Sequence, residues 1–120
     1  AVALFCRYFM GQDPEEHEIM EKAADLLLSK PPVYNEADGS IDHYYWYYAT
    51  YALYQAGGKS WKEWQKHLKD AVIEPQRKDG NFKGSWNPNG AWGHDGGRVY
   101  STALNVLTLE VYFRYGRLVR

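Results

Sequence analysis

Apolar and polar positions alternate along this chain in blocks: segments apolar nearly all round are followed by segments with a single apolar stripe. Residues 1–10 (AVALFCRYFM) carry Ala1, Val2, Ala3, Leu4, Phe5, Tyr8 and Phe9 and predict a helix that ends at Gly11. A helix with so little polar surface is expected to be buried on several sides. The next helix opens at Asp13-Pro14-Glu15-Glu16, where Asp13 reads as an N-cap, Pro14 fits the first turn and Glu16 closes a capping box. Ile19, Met20, Ala23, Leu26 and Leu27 then share one stripe, while Glu18, Glu21, Lys22 and Asp25 face away. This helix is therefore expected on the outside, ending before Pro31-Pro32.

Residues 41–56 (IDHYYWYYATYALYQA) are aromatic on every side, lack period-two alternation and stop at Gly57-Gly58, so a second buried helix is predicted. Ser60-Trp61-Lys62-Glu63 reads as a second capping box. Trp61, Trp64, Leu68, Ala71 and Val72 make the stripe of that outer helix, which ends near Pro75, and Lys62, Glu63, Lys66, Lys69 and Asp70 make its wet side. A fifth helix, apolar over most of its surface, is predicted from Val99 to Tyr115.

Between the last two helices lies a loop rich in Gly, Asn, Pro and Trp, part of the stretch 76–109 around which the chain is organised. Loops of this length are uncommon without a purpose. Its two tryptophans, Trp86 and Trp92, need something to be buried against, so the loop reads as a strap holding neighbouring helices in register.

The order buried, exposed, buried, exposed, buried predicts an all-α fold of about five helices in antiparallel hairpins. The stops at Gly11 and Gly57 and the caps at Asp13 and Ser60 both recur after about 46 residues, the sign of a helical repeat array. Residues 1–120 are read as one repeat segment of a larger domain. Two and a half hairpins cannot cover three helices that are apolar all round. The expected partners are therefore further copies of the chain or the remainder of a longer one.

Composition narrows the picture. The chain has 45% hydrophobic and 17% aromatic residues, with 11 Tyr and 5 Trp, ample for a core. A net charge of −1 gives no global attraction for nucleic acid or anionic membrane. One cysteine excludes an internal disulfide framework and a Cys-based zinc site. No apolar run reaches the ~20 residues of a membrane span. The compartment is left open.

From Lys69 to Trp86 the pattern resembles the repeat of the squalene and oxidosqualene cyclase and prenyltransferase superfamily, in which a Gln at a helix end precedes a Gly-x-Trp. Gln76, Gly84 and Trp86 are the matching positions, in a degenerate copy with longer spacing, and Gly97 to Leu104 looks like the next inner helix. The closest texture is that of cyclase-like repeat regions of large bacterial proteins without assigned activity. The resemblance implies an α/α toroid, with inner helices forming a barrel and outer helices ringing it. The chemistries of that superfamily need an Asp-rich DxDD motif, an Asp/Cys/His zinc set or a Cys-Gly-Glu-Gln thioester, none of which maps here. No catalytic residue, metal ligand or cofactor is therefore assigned.

A Gln at the Gln76 position is expected to bond orphan carbonyls at the helix end or amides of the next helix. His43 beside Asp42 and His94 beside Asp95 are read as caps or local hydrogen bonds before any catalytic role. Arg98 is read as pairing with Asp95, with anion binding at the start of the last helix as the rival. The candidate ligand-binding residues are Tyr44, Tyr45, Tyr48, Trp86, Trp92, Asp95 and Arg98. Aromatic rings can surround a cation or ring-shaped ligand, though packing the barrel is the simpler use. The function expected first is a non-catalytic toroid segment acting as scaffold or interaction module. The alternatives are a fragment of a terpenoid-cyclase-like enzyme with its acid motif elsewhere, and a binder of small ligands or carbohydrate.

Overall fold

Helices that are apolar all round need neighbours, and their packing in the computed structural model, which describes residues 1–114, is in two rows. Five α-helices form in chain order: α1 Val2–Phe9, α2 Glu18–Leu28, α3 His43–Ala56, α4 Gly58–Leu68 and α5 Gly93–Arg114. Helix α3 is central and packs against all four others, with α1 and α5 beside it in one row and α2 against α4 in the other. Among the described residues there is no strand and no helix long and apolar enough to cross a membrane. The all-α reading holds.

The core lies between the rows. Trp46, Ala49, Thr50, Ala52 and Leu53 of α3 are buried against Met20, Ala24 and Leu27 of α2 and Trp61, Trp64 and Leu68 of α4. The stripe of α4 is buried as its spacing predicts, and the Trp64 indole donates to Thr50 Oγ1 at 2.8 Å, so its one polar atom is satisfied. Beyond Leu68 the chain widens into a π-type turn, Lys69–Ile73, which carries Ala71 and Val72 into the core before Pro75.

Helix α3 begins where Asp42 accepts from the Tyr45 amide at 2.9 Å, a true cap, and ends at Gly57 with φ 67 and ψ −152. The other two capping predictions fail. Asp13 accepts from the Glu15 amide in a turn, and α2 starts later, after His17, with no side-chain cap. Helix α4 starts at Gly58, directly on Gly57, which leaves Ser60 inside its first turn. With only Gly57 between them, α3 and α4 leave no linker for a side-chain cap.

The stripe of α2 is narrower than expected: Met20 and Leu27 are buried, whereas Ile19 and Leu26 are exposed. Among the described residues, burial on several sides holds for α3 alone. Helix α1 buries Leu4 and Tyr8 but exposes Val2, Phe9 and Met10. Helix α5 buries Ser101, Asn105, Thr108 and Val111 and exposes Val99, Val106, Leu109 and Phe113, the last two turns of that face reaching 87% at Phe113. Both helices sit at an edge of their row, so each has α3 on one side and solvent on the other. On the mostly polar side of α5 turned inward, two groups find local partners: Asn105 Nδ2 donates to Ser101 O and Thr108 Oγ1 to Leu104 O, both at 2.8 Å. Tyr115, the expected end of that helix, lies outside the described residues.

Candidate functional site

The strap builds the most distinctive part of the surface. Arg77 and Ser85 pair through their backbones, with Arg77 N donating to Ser85 O and Gly84 N to Arg77 O, each at 2.8 Å. Gln76 Nε2 donates to Gly84 O at 2.9 Å. The Gln therefore closes the strap on itself and does not reach an orphan helix carbonyl or the next helix. Trp86 is 1% exposed; its indole donates to Val72 O at 2.6 Å and its amide to Thr102 Oγ1 at 3.3 Å. One residue thus ties the end of the α4 segment to α5, the strap role read from the sequence. Farther on, Asn89 Nδ2 donates to Glu36 Oε1 at 2.6 Å, and the Ala91 amide to Ile41 O at 3.2 Å. These bonds bring the end of the strap against the start of α3.

Trp92 does not follow Trp86 inward. It is 55% exposed, because the chain turns into α5 at Gly93 before the ring can reach the core. The first turn of α5 breaks at Gly97, with φ 65 and ψ −166, a conformation essentially reserved for glycine. Gly96, just before it, has no room for a side chain: a Cβ there would lie 2.5 Å from Cβ and Cγ of Tyr100. The broken turn and the bare Gly96 allow the Tyr100 ring to lie against the backbone.

The result is a cleft of about 520 Å³ lined by Tyr44, Trp92, Asp95, Gly96 and Tyr100. It sits where the start of α3, the end of the strap and the start of α5 meet. The Tyr100 hydroxyl is buried without a hydrogen-bond partner among the described residues. Its pKa is raised by burial first and then by the carboxylate of Asp42 and by Tyr44. Tyr48 lies next to the cleft, 4.7 Å from Tyr44 between ring centroids, and packs on Phe5 of α1 at 5.3 Å. Aromatic contacts thus continue from the cleft to the far edge of the row.

Of the seven residues proposed from sequence, the structure brings Tyr44, Trp92 and Asp95 to the cleft and Tyr48 beside it. Tyr45 points the other way and donates to Lys30 O at 2.8 Å; burial, then Asp42, pushes its pKa up to about 12. Trp86 is a core residue. Arg98 does not pair with Asp95. Its guanidinium donates to Ser85 Oγ and Trp86 O and lies 4.1 Å over the Phe82 ring, because the break at Gly97 separates it from the preceding turn. Asp95 pairs with His94 at 3.1 Å, both side chains exposed. Tyr100 and Gly96 were missed; the four-residue step from a glycine to an aromatic across a helix start was the available signal.

At the start of α3, His43 is 4% exposed and its Nδ1 lies 3.2 Å from Asn105 Nδ2. Burial, against a smaller opposing effect of Asp42, brings its pKa down to about 4, so the ring is neutral. Asp42 itself is a helix cap, as read from sequence. Among the described residues no three His, Cys, Asp or Glu side chains gather as a metal site would require. Comparison of the chain with protein-family models, curated proteins and solved structures finds no match.

Proposed function

We propose that this chain is a non-catalytic stretch of an α/α helical-repeat array, a scaffold that presents apolar helix faces for association and an aromatic cleft for a small ligand. The observation that carries the scaffold reading is the pair of bare edges. Helices α1 and α5 end the same row, each buries only the side toward α3, and each exposes an apolar stripe. The charged surface lies instead on α2 and α4, where Lys22 pairs with Glu18 and Lys66 with Glu63. The likeness to the α/α toroid of the squalene cyclase and prenyltransferase superfamily is supported by the row-on-row alternation and by the junction of Gln76, Gly84 and Trp86.

On this reading a second copy is the occupant of the bare faces. The α5 edge of one copy and the α1 edge of the next are related as successive members of one row, so copies stacked in this sense continue the alternation. Light scattering on the purified chain tests it. The expected result is a mass above the 13.9 kDa of one chain, rising with concentration and lowered by Val106→Glu. A monomer at every concentration overturns the association reading. The cleft supports ligand binding separately: it is concave, within the ~300–1,000 Å³ of small-molecule sites, and has few polar groups among aromatic ones.

A further inference from the structure

We infer that the cleft between α3, the strap and α5 takes a small organic ammonium ion, its charge set among the Tyr44, Trp92 and Tyr100 rings and beside Asp95. This rests on the reading of the cleft as a ligand site and adds the class of ligand.

The walls set the sign of the charge. Ring faces present the negative side of the aromatic quadrupole, and three of the five lining residues are aromatic. Among the described residues, the one ionisable wall residue besides the tyrosines is a carboxylate, Asp95. A second carboxylate, Asp42, lies close enough to act on Tyr100. Among the described residues no lysine or arginine lines the cleft, and the nearest arginine in sequence, Arg98, is turned away to Ser85, Trp86 and Phe82. An anion would meet the Asp95 carboxylate there, with no cationic side chain among the described lining residues to offset it. A cation meets the Asp95 carboxylate and can lie over the face of a lining ring.

The polar groups favour an ammonium that carries N–H. An N–H of the ligand can donate to the Asp95 carboxylate, which shares one oxygen with the exposed His94. A neutral polyol would need several donors and acceptors around its ring, and these walls are mostly carbon.

The test is a titration followed by the NMR signals of the indole N–H groups, with Trp92 assigned through Trp92→Phe. The probes are benzylammonium, its neutral counterpart benzyl alcohol, and glucose. The expected result is a saturable shift of the Trp92 signal with benzylammonium, at least several-fold tighter than with benzyl alcohol. Asp95→Asn is expected to weaken benzylammonium about fivefold, the size of a partly exposed charge pair, and to leave benzyl alcohol unchanged. Circular dichroism confirms folding of both variants, whose altered side chains are exposed. Equal binding of benzylammonium and benzyl alcohol, or preference for glucose, overturns the cation assignment and leaves the ligand site standing. No shift with any probe removes the ligand-site reading itself.

Discussion

Trp86 offers the sharpest test of how the strap holds the fold. The ring is 1% exposed, its N–H donates to Val72 O at 2.6 Å, and its backbone meets Thr102 and Arg98 of α5. Trp86→Ala removes a fully buried indole, a change that costs about 3–5 kcal/mol. Losing the bond to Val72 leaves a buried carbonyl short of a partner, worth about 1–3 kcal/mol, part of which the first range already contains. A domain of this size has a total stability of about 5–15 kcal/mol, so the variant is expected to be close to unfolding. Trp86→Phe keeps most of the ring and removes the N–H, and is expected to cost about 1–3 kcal/mol. Urea unfolding followed by far-ultraviolet circular dichroism measures both, since four other tryptophans would confuse fluorescence. Amide exchange on Trp86→Phe adds the location: protection is expected to fall first along α5 and at the α4 end, with α1 and α2 little changed. A loss below about 1 kcal/mol for Trp86→Ala, or exchange rising evenly over the chain, would refute the strap as the element joining those two helices.

Two further outcomes follow from groups around the cleft. His43 titrates near 6.5 when unfolded and at about 4 when buried, so the unfolded chain takes up a proton that the folded chain refuses. Its contribution is complete above about pH 6.5 and is lost as pH falls toward 4, reaching about 2 kcal/mol at pH 5. The difference in urea stability between pH 7 and pH 5 is expected to shrink by that amount in His43→Gln, and an unchanged difference would refute neutral burial. Gly97→Val is expected to cost about 1–3 kcal/mol through its φ of 65 and ψ of −166. A Cβ there meets nothing within 4 Å, so Gly97→Ala should incur most of the same penalty, and an unaltered thermal midpoint in both variants would contradict the conformational argument.

The helices were legible in the sequence because their determinants are local. Stops at Gly11 and Gly57, the Asp42 cap, and the spacing of Trp61, Trp64, Leu68, Ala71 and Val72 each act within a few residues, and each appears in the structure where it was read. Trp86 was legible as well, since an indole in a polar loop has to find a core. The failures share a different cause. Ser60 and Glu63 have the composition of a capping box, but α4 starts two residues before Ser60 because Gly57 already ends α3. The bare faces of α1 and α5 could not be told from the buried face of α3, since an apolar stripe is the same whether a neighbour covers it or not. Which of Trp86 and Trp92 lies inside, and whether Arg98 meets Asp95 or Trp86, depended on the turn at Gly97 and on bonds from the strap to Ile41 and Glu36.

By itself, then, the sequence determined the all-α class, the places where helices begin to be apolar or charged, and the residue types available for a site. Only the tertiary structure decided that α3 is the one helix surrounded by others, and that Tyr44, Trp92, Asp95 and Tyr100 share a cleft while Tyr45, Trp86 and Arg98 do not. The physical reason is range. Helix propensity and periodicity are summed over one or two turns of chain. A cleft is set by where three separate segments meet, and here that meeting depends on one backbone break at a glycine and a few hydrogen bonds spanning up to 53 residues.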